Sequence, residues 1–348
     1  METQRQSNFE LLRLVAMGFI VLHHFIFYGM NLFSGLALGE SIDLEPRIYD
    51  SLLVLDSFLI IGVNLFVLIS GYFSIKLSFK GLVRLFGITA FFGILTYVYC
   101  SLHEGNFQLS SLLARLFLPL SRSRLWFVRI YFVLMLLSPF INKVIDNIGR
   151  RGLLYALIVL TFINIWIGWL NGKEQTLYNG YNVLNFIYLY CIGRFLHLYG
   201  IGTVKRGYCV ATYLLCGIII GAGCIFLRNR GINPFRLLYY NNPLLILEAV
   251  AFFLLFLRFP FYSKAINSMA AGCLSIYLMQ EGGINFYDSV ASAYSRWGIS
   301  WTFLGLVFVF FVLSMFVPLL IEKVRQLAFG KVEKRISSWL DNKVDLTL

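Results

Sequence analysis

The stretch ELLRLVAMGFIVLHHFIF, residues 10–27, decides the class of this chain. Crossing a bilayer takes about 20 mainly apolar residues, and this run supplies them. It nevertheless keeps Arg13, His23 and His24. On an α-helix each residue advances about 100° and rises about 1.5 Å. The interval from Arg13 to His24 therefore turns about 20° past three full turns, placing both side chains on one face about 16 Å apart. His23 falls about 80° off that line. Ionisable groups at bilayer depth cost a few kcal/mol each and face a bundle interior or a wet cavity. Arg13 sits near a helix end and can snorkel; a histidine pair near the middle cannot. A lone histidine on an apolar helix is most often a structural hydrogen-bonder. The face shared with Arg13 favours a working role for His24, because guanidinium suits phosphate and imidazole suits general-base chemistry.

Composition extends this reading to the whole chain. Of its 348 residues, 59% are apolar, and the mean hydropathy is +0.77. Soluble domains are about 45–50% apolar, and a soluble fold of this length has too little interior to hide the excess. The net charge of +12 does not indicate nucleic acid, because the basic residues fall in short clusters between apolar runs, where topology signals sit. No basic face with interleaved aromatics forms a separate domain. Cys100, Cys191, Cys209, Cys216, Cys224 and Cys273 lie singly, mostly in apolar runs, and read as small buried hydrophobes rather than a disulfide or metal framework. The first apolar run is too long, and too interrupted by charge, for a cleaved signal despite the small residues of FSGLALG at 33–39. It is expected to remain as a first span.

The predicted fold is all-α, a polytopic integral membrane protein of about ten transmembrane helices. They run near 10–33, 52–74, 82–102, 125–145, 152–170, 182–200, 208–227, 242–258, 264–282 and 299–322. Residues 1–322 form one integral domain, followed by a basic cytoplasmic tail, 323–348, amphipathic at AFGKVEKRISSWLDNKV and suited to the membrane surface. Arg5, the Lys76–Lys80–Arg84 group, Lys143 with Arg150 and Arg151, Lys205 with Arg206, Arg258 with Lys264, and the tail all fall on one side of that scheme. By the positive-inside rule that side is cytoplasmic, which puts both termini inside. The first connection, with Glu40, Asp43, Glu45 and Asp50 against Arg47, fits an outer loop. Two outer connections break the pattern, one with Arg115, Arg122 and Arg124, the other with Arg228, Arg230 and Arg236. Either the topology differs there, or these arginines contact lipid headgroups or an anionic ligand. Further polar groups at apparent membrane depth are Asp56, Asn64, Arg129, Glu248, Gln280 and Glu281. Glu248 is the most isolated, and is protonated, paired with an arginine, or catalytic.

These residues carry a resemblance. The segment NFELLRLVAMGFIVLHHF resembles the first helix of the membrane-bound acyltransferase-3 family, whose signature of a basic residue, ten others and a histidine is met by Arg13 and His24. VNLFVLISGYFSIK (63–76), LWFVRIYFVLMLLSPFIN (125–142), NGYNVLNFIYLYCIGRFL (179–196) and LSIYLMQE (274–281) resemble later family segments in order. The resemblance implies a membrane enzyme that takes an acyl group, usually acetyl, from cytoplasmic acyl-CoA and delivers it to a hydroxyl of a surface or exported polysaccharide or lipid-linked glycan. His24 and Arg13 correspond to the essential histidine and basic residue. The segments look most like members found with bacterial capsule and exopolysaccharide genes, which implies a multi-pass protein of the bacterial inner membrane. Acetyl-CoA enters as donor substrate; no metal and no tightly bound cofactor is expected. Where many relatives read YLIH, this chain has Gln280, so a role for that second histidine is in doubt. A C-terminal hydrolase-like domain, which some members append, is not expected to act here.

Acyl transfer to a hydroxyl needs a base for its proton and a partner for the developing oxyanion. Neutral His24 is the candidate base, and Arg13 the candidate phosphate contact. Tyr72, Trp126, Arg129 and Glu248 are the weaker candidates for acyl-CoA or oxyanion contact. Loss of His23 is expected to matter less than loss of His24. The rival reading is a transporter or flippase of a lipid-linked sugar or anion, against which stands the lack of a clear inverted repeat. A purely structural envelope protein has no need of Arg13 and His24 on one face.

Overall fold

The computed structural model describes residues 6–32, 44–121, 123–172, 176–200 and 204–344. Arg5, Glu40, Asp43, Arg122 and the FSGLALG run lie outside the described residues. The structure is 81% helix and has no strand among the described residues. The α-helices are α1 (Ser7–His24), α2 (Pro46–Leu59), α3 (Gly62–Phe73), α4 (Phe79–Glu104), α5 (Leu109–Phe117), α6 (Trp126–Thr161), α7 (Val183–Tyr199), α8 (Arg206–Asn229), α9 (Pro243–Leu257), α10 (Lys264–Ala270), α11 (Leu274–Gly282), α12 (Tyr287–Trp297) and α13 (Trp301–Asp341). Their ends follow local chemistry. Ser78, Asn182 and Asn242 cap α4, α7 and α9 by accepting from the backbone N–H of Gly81, Asn185 and Leu244. Pro46 and Pro243 stand in first turns, where the missing N–H costs nothing.

Among the described residues, seven helices are long and apolar enough to cross a membrane. One of them, Trp126–Leu170, has 45 residues and is broken at Gly149 (φ 62°, ψ −173°), within the basic connection expected there. Three expectations change. Residues 264–282 are two short helices, α10 and α11, rather than one span. The connection after Gly282 contains the helix α12. The tail is no separate element, because α13 runs unbroken from Trp301 to Asp341. In the apolar 18-residue stretch of Pro46–Phe73, 72% is buried, whereas in those of Trp126–Leu170 and Trp301–Asp341 only 17% is. Water would expel such bare apolar surface, including Ile158 and Phe308, and hydrocarbon accepts it.

The chain divides into two compact units, with α6 and α13 shared between them. The first draws on Met1–Phe73, Ile148–Ala270 and Phe286–Phe311. Its tightest seam is α3 on α7, where a Cβ on Gly71 would run into the carbonyl of Tyr190, and one on Gly193 into that of Leu68. Small residues admit such close approach between apolar helices. Connections expected on one membrane side meet at one end of this unit. Ser7 Oγ donates to Asn267 Oδ1 (2.8 Å), Asn8 Nδ2 to the Phe256 carbonyl (2.8 Å) and Arg206 to the Arg258 carbonyl (2.9 Å). Connections expected on the other side likewise meet, Arg228 with Asp50 (2.7 Å) and the Tyr240 N–H with the Asn179 carbonyl (3.2 Å).

The second unit draws on Ser74–Asn147, Ala271–Asn285 and Val312–Leu348. Gly282 of α11 lies against Thr96 of α4, and Arg84 donates to the Ala271 carbonyl (2.7 Å). Beyond the expected domain boundary, Arg325 is buried, pairing with Glu322 (2.6 Å) and with Glu333. This arginine is therefore compensated within the chain, while most of the tail residues around it are exposed.

Gly71→Ala and Gly193→Ala are each expected to lower stability by about 1–3 kcal/mol, the usual cost of overpacking, read as the thermal midpoint of the detergent-solubilised protein. Gly207→Ala, where a Cβ meets nothing within 4 Å, is the control and should leave the midpoint unchanged or slightly raised.

Candidate active site

The final turn of α1 continues into a wider π-helical turn, Phe25–Gly29, closed by the Met30 N–H on the Phe25 carbonyl (2.8 Å). Single π-helical turns are frequent at functional sites. Just before it, the two histidines diverge by the single-residue step of about 100°. His23 turns inward to α2. Its Nδ1 lies 2.6 Å from Asp56 Oδ1, and both residues are buried. Asp56 Oδ2 has no hydrogen-bond partner among the described residues, so His23 is the group that compensates this carboxylate.

His24 is half-buried and faces α12, with the Tyr287 hydroxyl 3.3 Å from its Nδ1. Tyr28 and Tyr287 flank the imidazole, with ring centroids 5.4 and 6.2 Å away. The chain can come this close because of Gly29, where a Cβ would stand 3.1 Å from Val290 Cβ and 3.4 Å from the Tyr287 carbonyl.

Arg13 lies toward the opposite end of α1 and donates to Glu10 Oε1 (2.7 Å), with 29% of its side chain exposed. That hydrogen bond uses part of a guanidinium that carries five N–H donors. Between the two levels, Met17 and Ile20 occupy the same stripe and are buried. The stripe is thus open at its ends and closed in the middle.

The weaker candidates separate. Tyr72 belongs to the Arg13 end. Its ring stacks on Phe9 (5.1 Å), meets His197 edge-on (4.8 Å) and touches Phe253 (5.4 Å). Phe9 precedes His24 by four turns, about 22 Å along the axis, so Tyr72 is not the oxyanion donor beside His24. Glu248 is wholly buried, with Tyr213 and Cys216 of α8 as electrostatic neighbours and neither carboxyl oxygen hydrogen-bonded among the described residues. It presents no surface to acyl-CoA. Trp126 and Arg129 lie at the start of α6 in the second unit, Trp126 against Phe127 (6.1 Å) and Arg129 exposed. Among the described residues no group of three His, Cys, Asp or Glu side chains is placed to hold a metal.

Several of the misplaced outer arginines have internal work. Arg228 pairs with Asp50 and lies over the Tyr49 ring (4.6 Å). Arg236 donates to the Trp169 and Leu170 carbonyls. Arg115 donates to the Ser111 carbonyl (2.7 Å) and lies over Tyr97 (4.0 Å). Sequence reasoning missed Tyr287 and Tyr28 beside His24, and His197 with the buried Arg194 near Tyr72. The alternation of small and aromatic residues in YDSVASAYSRW marks an amphipathic turn, but nothing in it points to α1.

The sequence model of the acyltransferase-3 family, described as an acyltransferase domain, matches residues 6–323. None of the curated proteins and none of the solved structures matches the chain.

The two histidines should fail differently. His23→Ala strips a buried carboxylate of its partner, a change that costs about 3–5 kcal/mol, and should sharply reduce folded protein in the membrane. His24→Ala removes a half-buried ring and should leave membrane abundance near the unmutated level. Quantitative immunoblotting of membrane fractions reads both, and equal loss from the two changes would contradict this division.

Proposed function

The chain belongs to the acyltransferase-3 family, and from that premise we propose that it moves an acetyl group from cytoplasmic acetyl-CoA to a hydroxyl of an exported or surface polysaccharide. The setting is the inner membrane of a bacterium. The observation that carries the reading is the half-buried imidazole of His24 on a stripe it shares with Arg13, one group near each end of α1. Acyl-CoA has matching polarity, with phosphates at one end and the thioester at the other. Arg13 holds phosphate by charge-assisted hydrogen bonds. His24 takes the hydroxyl proton as the sugar oxygen attacks the thioester carbonyl. The C–S bond then breaks, and the proton passes to the departing thiolate. The products are the sugar ester and free CoA. General-base assistance of this kind contributes about 10²–10⁴-fold.

Labelled acetyl-CoA supplied to inside-out vesicles bearing the protein should place label in the envelope glycan, and His24→Ala should abolish the transfer. Movement of an intact sugar lipid without label would identify a flippase instead. Arg13→Ala should raise the apparent KM for acetyl-CoA about 10- to 100-fold, equivalent to the roughly 1.5–3 kcal/mol of a charged hydrogen bond; an unchanged KM removes the phosphate role from Arg13.

A further inference from the structure

We infer that Tyr28 and Tyr181 are the acceptor platform: their exposed rings carry the sugar unit whose hydroxyl reaches His24. The inference rests on the acyl-transfer reading above. Both tyrosines belong to the end of the first unit that holds His24. Tyr28 lies one turn beyond the histidine, with ring centroids 5.4 Å apart. Tyr181 reaches the same neighbourhood through Tyr240, whose ring it meets at 4.8 Å. The side chains of Tyr181 and Tyr240 share a hydrogen bond, and Tyr28 is an electrostatic neighbour of Tyr240. Tyr240 is buried, at 4% exposure, whereas Tyr28 is 51% and Tyr181 40% exposed. Two open rings thus flank one closed ring, beside the imidazole.

Backbone contacts hold the platform in place. Gly180 has φ 78°, and a Cβ there would stand 2.7 Å from the Asn241 nitrogen and 3.0 Å from Tyr240 Cβ. Glycine allows both the left-handed turn and this approach, and Tyr181 follows it directly. The Tyr181 N–H donates to Asn179 Oδ1 (3.0 Å) and the Tyr240 N–H to the Asn179 carbonyl (3.2 Å). Asn64 Nδ2 donates to the Tyr240 carbonyl (3.1 Å). Rings held in this way lose little freedom on binding. A tyrosine presents an apolar face and a hydroxyl that both donates and accepts. A pyranose has the matching pair, C–H groups on its faces and hydroxyls round its rim. Tyrosines also anchor helices among lipid headgroups, a role that predicts lost stability and unchanged sugar affinity.

The probe is the envelope glycan, stripped of esters by mild alkali, cut to oligosaccharides and fluorescently tagged. It is titrated into the detergent-solubilised full chain without acetyl-CoA, with the thermal midpoint recorded for each variant. Tyr181→Ala should raise the Kd about 5- to 30-fold, the range for truncating an aromatic anchor, and Tyr28→Ala should do likewise. Tyr181→Phe keeps the ring face and loses the bond to Tyr240; its Kd should stay within about threefold of the unmutated protein's. In transfer of label from acetyl-CoA, Tyr181→Ala should raise the apparent KM for the oligosaccharide and leave that for acetyl-CoA within about twofold. If Tyr181→Ala does not fold, Tyr28→Ala decides. An unchanged Kd in the folded alanine variants overturns the inference, as does a Tyr181→Phe as weak as Tyr181→Ala. Abundant unmutated protein that transfers no label, yet binds the oligosaccharide through Tyr181, overturns the acyltransferase reading and leaves the platform standing. Absence of both transfer and binding overturns both.

Discussion

A buried histidine–aspartate contact sets the orientation on which the candidate site depends. His23 and Asp56, both buried, meet at 2.6 Å, and they tie α1 to α2. A helix pinned at one side chain has lost its freedom to rotate. With His23 turned to α2, the next residue is carried about 100° round, and His24 must face the approach of α12. Arg13, three turns earlier on the His24 stripe, is oriented by the same contact. A pair of this kind adds little net stability compared with apolar packing, and its consequence here is rotational register.

Glycine contacts place the partners of α1. At the α3–α7 seam, Gly71 and Gly193 let backbones approach until Tyr72 is enclosed by Phe9 and His197. The SGY element is therefore architectural at its glycine, while its tyrosine is an aromatic wedge at the Arg13 end. Gly29 acts alike at the other end, where the missing Cβ admits α12 and with it Tyr287. One principle, backbone approach without a side chain, shapes both ends of the same helix.

The cations also divide by role. At the Arg13 end, Tyr72 meets His197, whose electrostatic neighbour is the buried Arg194, while Arg13 itself pairs with Glu10. At the opposite end of this unit, Arg228 and Arg236 are engaged by Asp50 and by backbone carbonyls. Their breach of the positive-inside pattern thus has a local explanation: Arg228 compensates the Asp50 side chain, and Arg236 the carbonyls that a helix end leaves over.

Membrane class, helical architecture and the Arg13–His24 stripe were legible from residue order, because hydropathy and the helical period are local properties that no neighbour can alter. The break at Gly149 was legible for the same reason, lying where an apolar pattern gives way to charge. The assignment of His23 to Asp56, of His24 to Tyr287 and of Tyr72 to the Arg13 end was not. Each joins residues on different helices, and helix rotation, crossing and approach are set by packing between surfaces that are far apart in sequence. The period of α1 determined which side chains share a face; only the tertiary structure decided what that face meets, because a helix acquires a direction only from its neighbours.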